Sequence, residues 1–497
     1  MNWRNIIENF VKIVTNKMAF LPANFLPDSL NEVSATSSVI YVVFTDGSKY
    51  YAKKSDTGEA EYSDADASNV IQYAISNAPA YSCVVIRPGI YLLTKGIVIN
   101  KSITLMGEGF PTLKIKPNMN MDAISVWADD VVVAGIRIDG SGTESKIGVQ
   151  NGIAVGDIDK PVRRVLVINN IIENIRYSRG IYKGILTSYG YGVCIIKGSN
   201  NIIAFNKFRN VMHWNILVHP INWNINPAGA TMNIIIGNVG YDGLEGVTIL
   251  TTDNIIIGNS FYNHGRYGII LESGGRNTVV GNVLAYCGSS GSHDGKGGNG
   301  IRIMTPENIV ANNIVIFSYE SGIAITNNAS RNIIEGNFVA NSNYKGDVDR
   351  KWGNIEILDG ATNNIIRNNK VYVGYTDYPR ANYGIRVLGS AGPGNVIEGN
   401  DVRDGGYYGP ILLEAVAIVR RNIGYATENS GIATIPAGST CITVNHSLAQ
   451  TPTKVLVTPL SQVSSVWYVA NINSESFQIC LNQPQNVDVN FSWYAEC

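Results

Sequence analysis

Six Gly-rich segments collect the side chains of this chain that can do chemistry. They read YDGLEG (241–246), NHGRYG (263–268), CGSSGSHDGKGGNG (287–300), NSNYKGDVDRKWGN (341–354), GYTDYPRANYG (374–384) and DGGYYG (404–409). Together they hold carboxylates, guanidiniums, phenols, two imidazoles and an indole, the mixture a saccharide groove uses. Aromatic faces stack on sugar rings, while one carboxyl protonates a glycosidic oxygen and another attacks or activates water. The catalytic candidates are Asp242, Glu245, His264, Glu272 and Asp294. Arg266, Tyr267, Arg302, Trp352, Glu356 and Arg386 are candidates for sugar contacts. Each has a plainer alternative, since long loops gather polar residues anyway and neighbouring Glu and Arg make ion pairs without catalysis. No Cys/His cluster has metal-ligand spacing, and GKGG (295–298) lacks the spacing of a phosphate loop, so neither metal nor cofactor is expected.

Elements able to position these residues are bounded by composition. The 497 residues are 45% apolar and 15% charged, with 51 Gly and a net charge of −1. Such a chain folds, and it lacks the basic stripe that nucleic acid would call for. No 18-residue apolar run is present, so no membrane span is expected. At the N-terminus, Glu8, Lys12 and Lys17 interrupt what a signal peptide would leave apolar. Trp3, Ile6, Phe10 and Ile13 fall instead on one helix face, as for a short oligomerising or anchoring helix. Cys83, Cys194 and Cys287 read as small buried hydrophobes. Whether Cys441 and Cys480 are bridged is left open by the sequence.

A repeat settles the fold. NIIAFN (201–206) recurs as NIIIGN, NIIIGN, NTVVGN, NIVANN, NIIEGN, NIIRNN and NVIEGN, with starts 32, 21, 23, 31, 24, 32 and 31 residues apart. A second element, Gly or Asn followed by I-x-I/L/V, appears as GVTIL (246–250), GIILE (268–272), GIRIM (300–304) and GIRVL (384–388) among others. These runs are too short for helices. A β-propeller would need regular periods of about 40 or more. The economical fold is all-β, a right-handed single-stranded parallel β-helix of about eleven or twelve coils stacked about 4.8 Å apart. Asn206, Asn238, Asn259, Asn282, Asn313, Asn337, Asn369 and Asn400 would form a ladder at one turn, each in a left-handed or bent backbone. Alternation turns Leu217, Thr248, Ile270, Arg302, Glu356 and Arg386 outward, which sets Glu356 between guanidiniums. Two residues on, Leu250, Met304, Leu358 and Leu388 would form an exposed apolar stripe suited to an oligomer interface. Stacking also draws Asp242, Glu245, His264, Glu272 and Asp294 into three consecutive coils.

Residues 64–109 carry an Asp-initiated amphipathic helix (66–78), VVIRPGIY (84–91), IVINKSITL (97–105) and Gly107–Gly109. This segment resembles the opening of the pectate-lyase-like superfamily, which includes polysaccharide lyases, polygalacturonase-type hydrolases and virus tailspikes. The resemblance implies a helix capping the first coil and a β-helix over roughly 60–425. It carries no catalytic residues across. Of the N-T-D, D-D, G-H-G and R-I-K signatures of the hydrolases, only Thr252-Asp253, Asn263-His264-Gly265 and Arg302-Ile303 have counterparts, and the paired aspartates are missing.

Three regions are therefore expected: an attachment segment at 1–62 with a hairpin at Asp46-Gly47, the β-helix at 63–424, and an antiparallel β-sandwich-like module at 425–497. That layout resembles tailspikes and fibres, which are usually homotrimers. The expected function is binding, and depolymerising if catalytic, a cell-surface polysaccharide at the virion surface, with other virion proteins contacting the N-terminus. A non-enzymatic adhesin or structural spike, and a free lyase or hydrolase, are the alternatives. The absence of a signal peptide argues against conventional secretion for the last.

Overall fold

The repeated hexads become strands of one parallel sheet. In this computed structural model the described residues are 38–117, 119–140, 150–176, 178–182, 185–219, 229–288, 297–344, 346, 351–374 and 381–497. The expected N-terminal helix and Asp294 lie outside them. Two compact units divide the chain, Met1–Ala324 and Ile325–Cys497.

In the first unit one coil shows the plan. Ile255–Ile257 lies in a first sheet, Ser260–Tyr262 in a second and Tyr267–Leu271 in a third. Each strand pairs in parallel with its equivalents one coil away, as Ile256 does with Ile235 and Val279. Nine first-sheet strands, from Cys83–Ile86 to Ile309–Ala311, follow one another in this way. Side chains such as Val247, Ile249, Ile256 and Phe261 fill the interior. Hydrophobic burial of this kind is the main stabilising term. The helix Ala67–Asn77 is capped by Asp66, whose carboxylate accepts from the Ser68 amide, and buries Ile71, Ala74 and Ile75. The hairpin strands Val39–Thr45 and Tyr50–Lys54 form as expected, and the first pairs in parallel with Cys83–Ile86.

Asparagine ladders hold the corners, and there are two rather than one. The expected ladder runs Asn206–Asn238–Asn259–Asn282–Asn313, each step donating from both the backbone and side-chain N–H to the next Oδ1 at 2.9–3.0 Å. A second joins the first Asn of each hexad, Asn201–Asn233–Asn254–Asn277. The backbone expectation was displaced by one residue. The left-handed residue precedes each ladder Asn, as at Gly258 (φ 63°) before Asn259 and Asp253 (φ 63°) before Asn254. That residue makes the bend, so the Asn after it can aim inward.

The second unit repeats the plan with three full coils and adds a different module. Its ladders include Asn337–Asn369–Asn400–Asn422 and Asn332–Asn364–Asn395. After them, Glu428–Ile435, Val489–Glu496 and Lys454–Pro459 form one antiparallel sheet, and Cys441–Asn445, Ser476–Leu481 and Trp467–Ala470 another. Their inner faces share a core of Ile435, Phe477, Ile479, Phe491 and Trp493. Cys441 and Cys480 are register partners and are bonded. Cys83, Cys194 and Cys287 are buried and free.

The expected apolar stripe is not an exposed one. Leu250 is buried among Tyr191, Cys194, Trp214 and Leu217 on the outer side of the third sheet, and Met304, Leu358 and Leu388 are each partly covered. The sheet's outer face carries its own apolar cluster, a packing that strand alternation alone does not disclose.

Candidate functional site

The loops that join the second sheet to the third deliver the candidate residues to the outer face of the third sheet. Trp214, Glu245 and Tyr267 stand in one register column on adjacent strands. Glu245 and Thr248 share the outward side, where the Thr248 hydroxyl donates to the Glu245 carboxylate. Although outward, Glu245 is only 1% exposed. Burial pushes its carboxyl up to about 7, against the opposing pull of Arg266 and the Thr248 hydrogen bond, with Glu272 adding to the rise.

Arg266 ties the group together. Its Nη1 lies 3.2 Å from Glu245 Oε1, and its guanidinium sits 4.9 Å from the centre of the Tyr267 ring. Arg302, from the next coil, stands 5.6 Å from the same ring and reaches Asn299. Cations over an aromatic face are favourable and hold the ring in place. Gly297 packs so tightly on that ring that a Cβ there would meet the Tyr267 hydroxyl at 2.5 Å. Glu272 remains partly accessible. Burial raises its pKa, and Arg266 and Arg302 hold it back. Arg266 thus pairs with Glu245 and pulls electrostatically on Glu272 as well, and both carboxyls keep protons to higher pH than an ordinary glutamate. A carboxyl held near 7, as Glu245 is, can exchange protons near neutrality.

Other candidates separate from this group. His264 is fully buried inside the coil, not in the groove. Its Nε2 is 2.7 Å from Asn215 Nδ2, and Phe261 meets it edge-on at 5.6 Å. Burial lowers its pKa to about 3, so it stays neutral and out of reach of a substrate. Asp242 is exposed on the corner outside and accepts from the Asn263 amide at 2.6 Å. In the second unit Glu356 is buried, accepts from the Gly353 N–H at 2.9 Å and lies 3.5 Å from Arg386. Arg386 continues to Glu414 at 3.2 Å and to the Lys351 carbonyl, so here the guanidinium stands between two carboxylates, where the sequence had set Glu356 between guanidiniums. Trp352 is partly buried, and its carbonyl accepts from the Asn382 N–H. Sequence reasoning missed Trp214, Thr248 and Glu414 as members of these clusters. Trp214 is the register partner of Glu245, and the loop lengths between the coils concealed that column. No group of metal-binding side chains is found among the described residues.

Residues 55–210 match a family model described as rhamnogalacturonase A/epimerase, pectate lyase-like. The fold of the chain is a parallel β-helix. Solved structures of that fold resemble it over most of its length. The A-module of mannuronan C-5 epimerase AlgE4 of Azotobacter vinelandii gives a TM-score of 0.51 at 13% identity, covering 72% of this chain and 95% of that one. A mutant tailspike protein of E. coli bacteriophage HK620, in complex with pentasaccharide, gives 0.51 at 11% identity, covering 87% and 90%. No curated protein matches the sequence. On this parallel β-helix, the Glu245, Arg266 and Glu272 group lies on the third sheet, in coils beyond the region the family model matches.

Proposed function

We propose that this protein is a tailspike-type β-helix that binds a cell-surface polysaccharide across the outer face of its third sheet and cleaves it by hydrolysis. The observation that carries this reading is the buried Glu245–Arg266 pair with Glu272 within electrostatic reach of Arg266, two carboxyls with raised pKa, beside Arg302 and Tyr267. In this scheme Glu272 protonates the glycosidic oxygen, and a water attacks the sugar carbon as its proton passes to Glu245. Arg266 and Arg302 bind glycan oxygens. The likeness to the phage tailspike favours a place on the virion surface; three assembled copies, with the N-terminal segment contacting other virion proteins, complete this proposal.

Binding without cleavage is the second reading, favoured by the near-complete burial of Glu245, which would then serve only to hold Arg266. Incubation with purified capsular and O-antigen polysaccharides separates the two. A falling glycan chain length without a new ultraviolet-absorbing double bond indicates hydrolysis; with it, a lyase; retention without shortening, a binder. Under hydrolysis, Glu272→Gln lowers kcat by roughly 100-fold or more. Full activity in both Glu245→Gln and Glu272→Gln would move the site elsewhere.

A further inference from the structure

A second aromatic group lies in the coils of the second unit. Tyr407 and Tyr408 are 67% and 55% exposed, yet their backbone is fixed. The N–H of Tyr407 donates to Ala381 O at 2.9 Å and that of Tyr408 to Asn382 O at 2.8 Å. Gly406 before them packs so closely that a Cβ would stand 2.3 Å from the Tyr383 Cα. The rings contact each other and a third, Tyr407–Tyr408 at 5.0 Å and Tyr383–Tyr408 at 6.1 Å. Large aromatic faces held out to water on an anchored turn are preorganised for a ligand, because little ordering remains to be done on binding.

The surroundings say what kind of ligand. Tyr383 pairs in register with Gly409, and its ring lies about one contact distance from where a Gly409 Cβ would be, at 3.8 Å. In the first unit the corresponding column carries Trp214, Glu245 and Tyr267; here a glycine adds no side chain over the ring. Arg386 shares the face, since a Cβ on Gly353, the register partner of Tyr383, would lie 3.2 Å from the Arg386 Cβ. Arg386 Nη2 holds the Glu414 carboxylate at 3.2 and 3.3 Å, while Glu356 lies behind. Arg386 faces two carboxylates, so among the described residues this Glu356–Arg386–Glu414 group carries no excess positive charge to attract an anion. It offers planar donors and acceptors beside aromatic faces, which suits vicinal hydroxyls on an uncharged ring.

We propose that Tyr383, Tyr407 and Tyr408, with the Arg386–Glu414 pair at their edge, form a second saccharide site that takes an uncharged pyranose segment of a polysaccharide. The inference rests on the polysaccharide reading above but uses none of the residues of its cleavage site.

The test uses the full chain against immobilised O-antigen and capsular polysaccharides, neutral and acidic. The double variant Tyr407→Ala/Tyr408→Ala, and separately Tyr383→Ala, should bind a neutral glycan about tenfold more weakly, with unchanged circular dichroism. Tyr408→Phe should retain most of the binding, because it keeps the aromatic face. Arg266→Ala reports on the cleavage site independently, so loss of cleavage with intact neutral-glycan retention leaves this site standing. Retention of no glycan by the wild type, retention of acidic glycans alone, or tyrosine variants that bind as well as wild type would overturn it. So would variants that alter the sedimentation coefficient and leave glycan retention unchanged, because the rings would then contact a second copy of the chain.

Discussion

Glu245 and His264 show how burial, rather than residue type, decides a role. In the unfolded chain Glu245 titrates near the ordinary 4.5, and in the folded chain near 7. Between those values the unfolded chain gives up its proton first, so the carboxyl costs stability as pH rises through this window and costs nothing below it. Glu245→Gln keeps a partner for Thr248 and removes the charge. Its melting temperature should gain on the wild type from about pH 5 to about pH 7.5, with a full effect on the order of 3 kcal/mol. Paired melts at the two pH values check this, and a gap that does not widen contradicts it. His264 has the opposite sign. Its folded pKa lies below the ordinary 6.5, so its contribution is complete above 6.5 and falls as pH drops toward 3. His264→Ala should cost about 2–4 kcal/mol through a lost packing contact and an unpaired Asn215 amide, and should leave glycan affinity unchanged in protein that is still folded. The sequence placed His264 in a polar loop beside Arg266. Its partner, Asn215, is 49 residues away, and only the folded coil brings the two together.

At the scale of elements, the corners are more demanding than the strands. Asn259 accepts from the backbone and side chain of Asn238 and donates twice to Asn282. Asn259→Ala should therefore cost about 3 kcal/mol, from buried donors left without acceptors. Gly258 beside it has φ 63° and open space around a would-be Cβ. Gly258→Ala should cost only about 1 kcal/mol of backbone strain. Chemical denaturation of both variants tests the order; a costlier Gly258 change would make the ladder secondary. The hexads made the strands legible, since I-I-x between two Asn fits one short strand and two bends. The second ladder was equally present in the repeat, in its first letter. The apolar cluster under Leu250 was not, because alternation says which way a side chain points and nothing of what covers it.

For the whole molecule, the C-terminal module stands apart in its physics. Its two three-stranded sheets share a compact core that the Cys441–Cys480 bond crosslinks across 39 residues. Reduction, or replacement of both cysteines by serine, should lower this module's stability by about 3 kcal/mol, read as an earlier denaturation transition. Sedimentation at micromolar concentration tests the proposed trimer, and a monomer there would remove it.

By itself the sequence determined the β-helix, its repeat, the capping helix and the strands of the last module. Each of these is local: a periodicity, an N-cap, a pair of bends, legible wherever neighbours in the chain set the backbone. Tertiary structure decided which polar residues became a group. Loops of unequal length between equivalent strands hid the column of Trp214, Glu245 and Tyr267, sent His264 inward and Asp242 outward, and set Arg266 against the buried Glu245. Burial then shifted their proton affinities, and burial is a property of the stacked coils that no single segment carries.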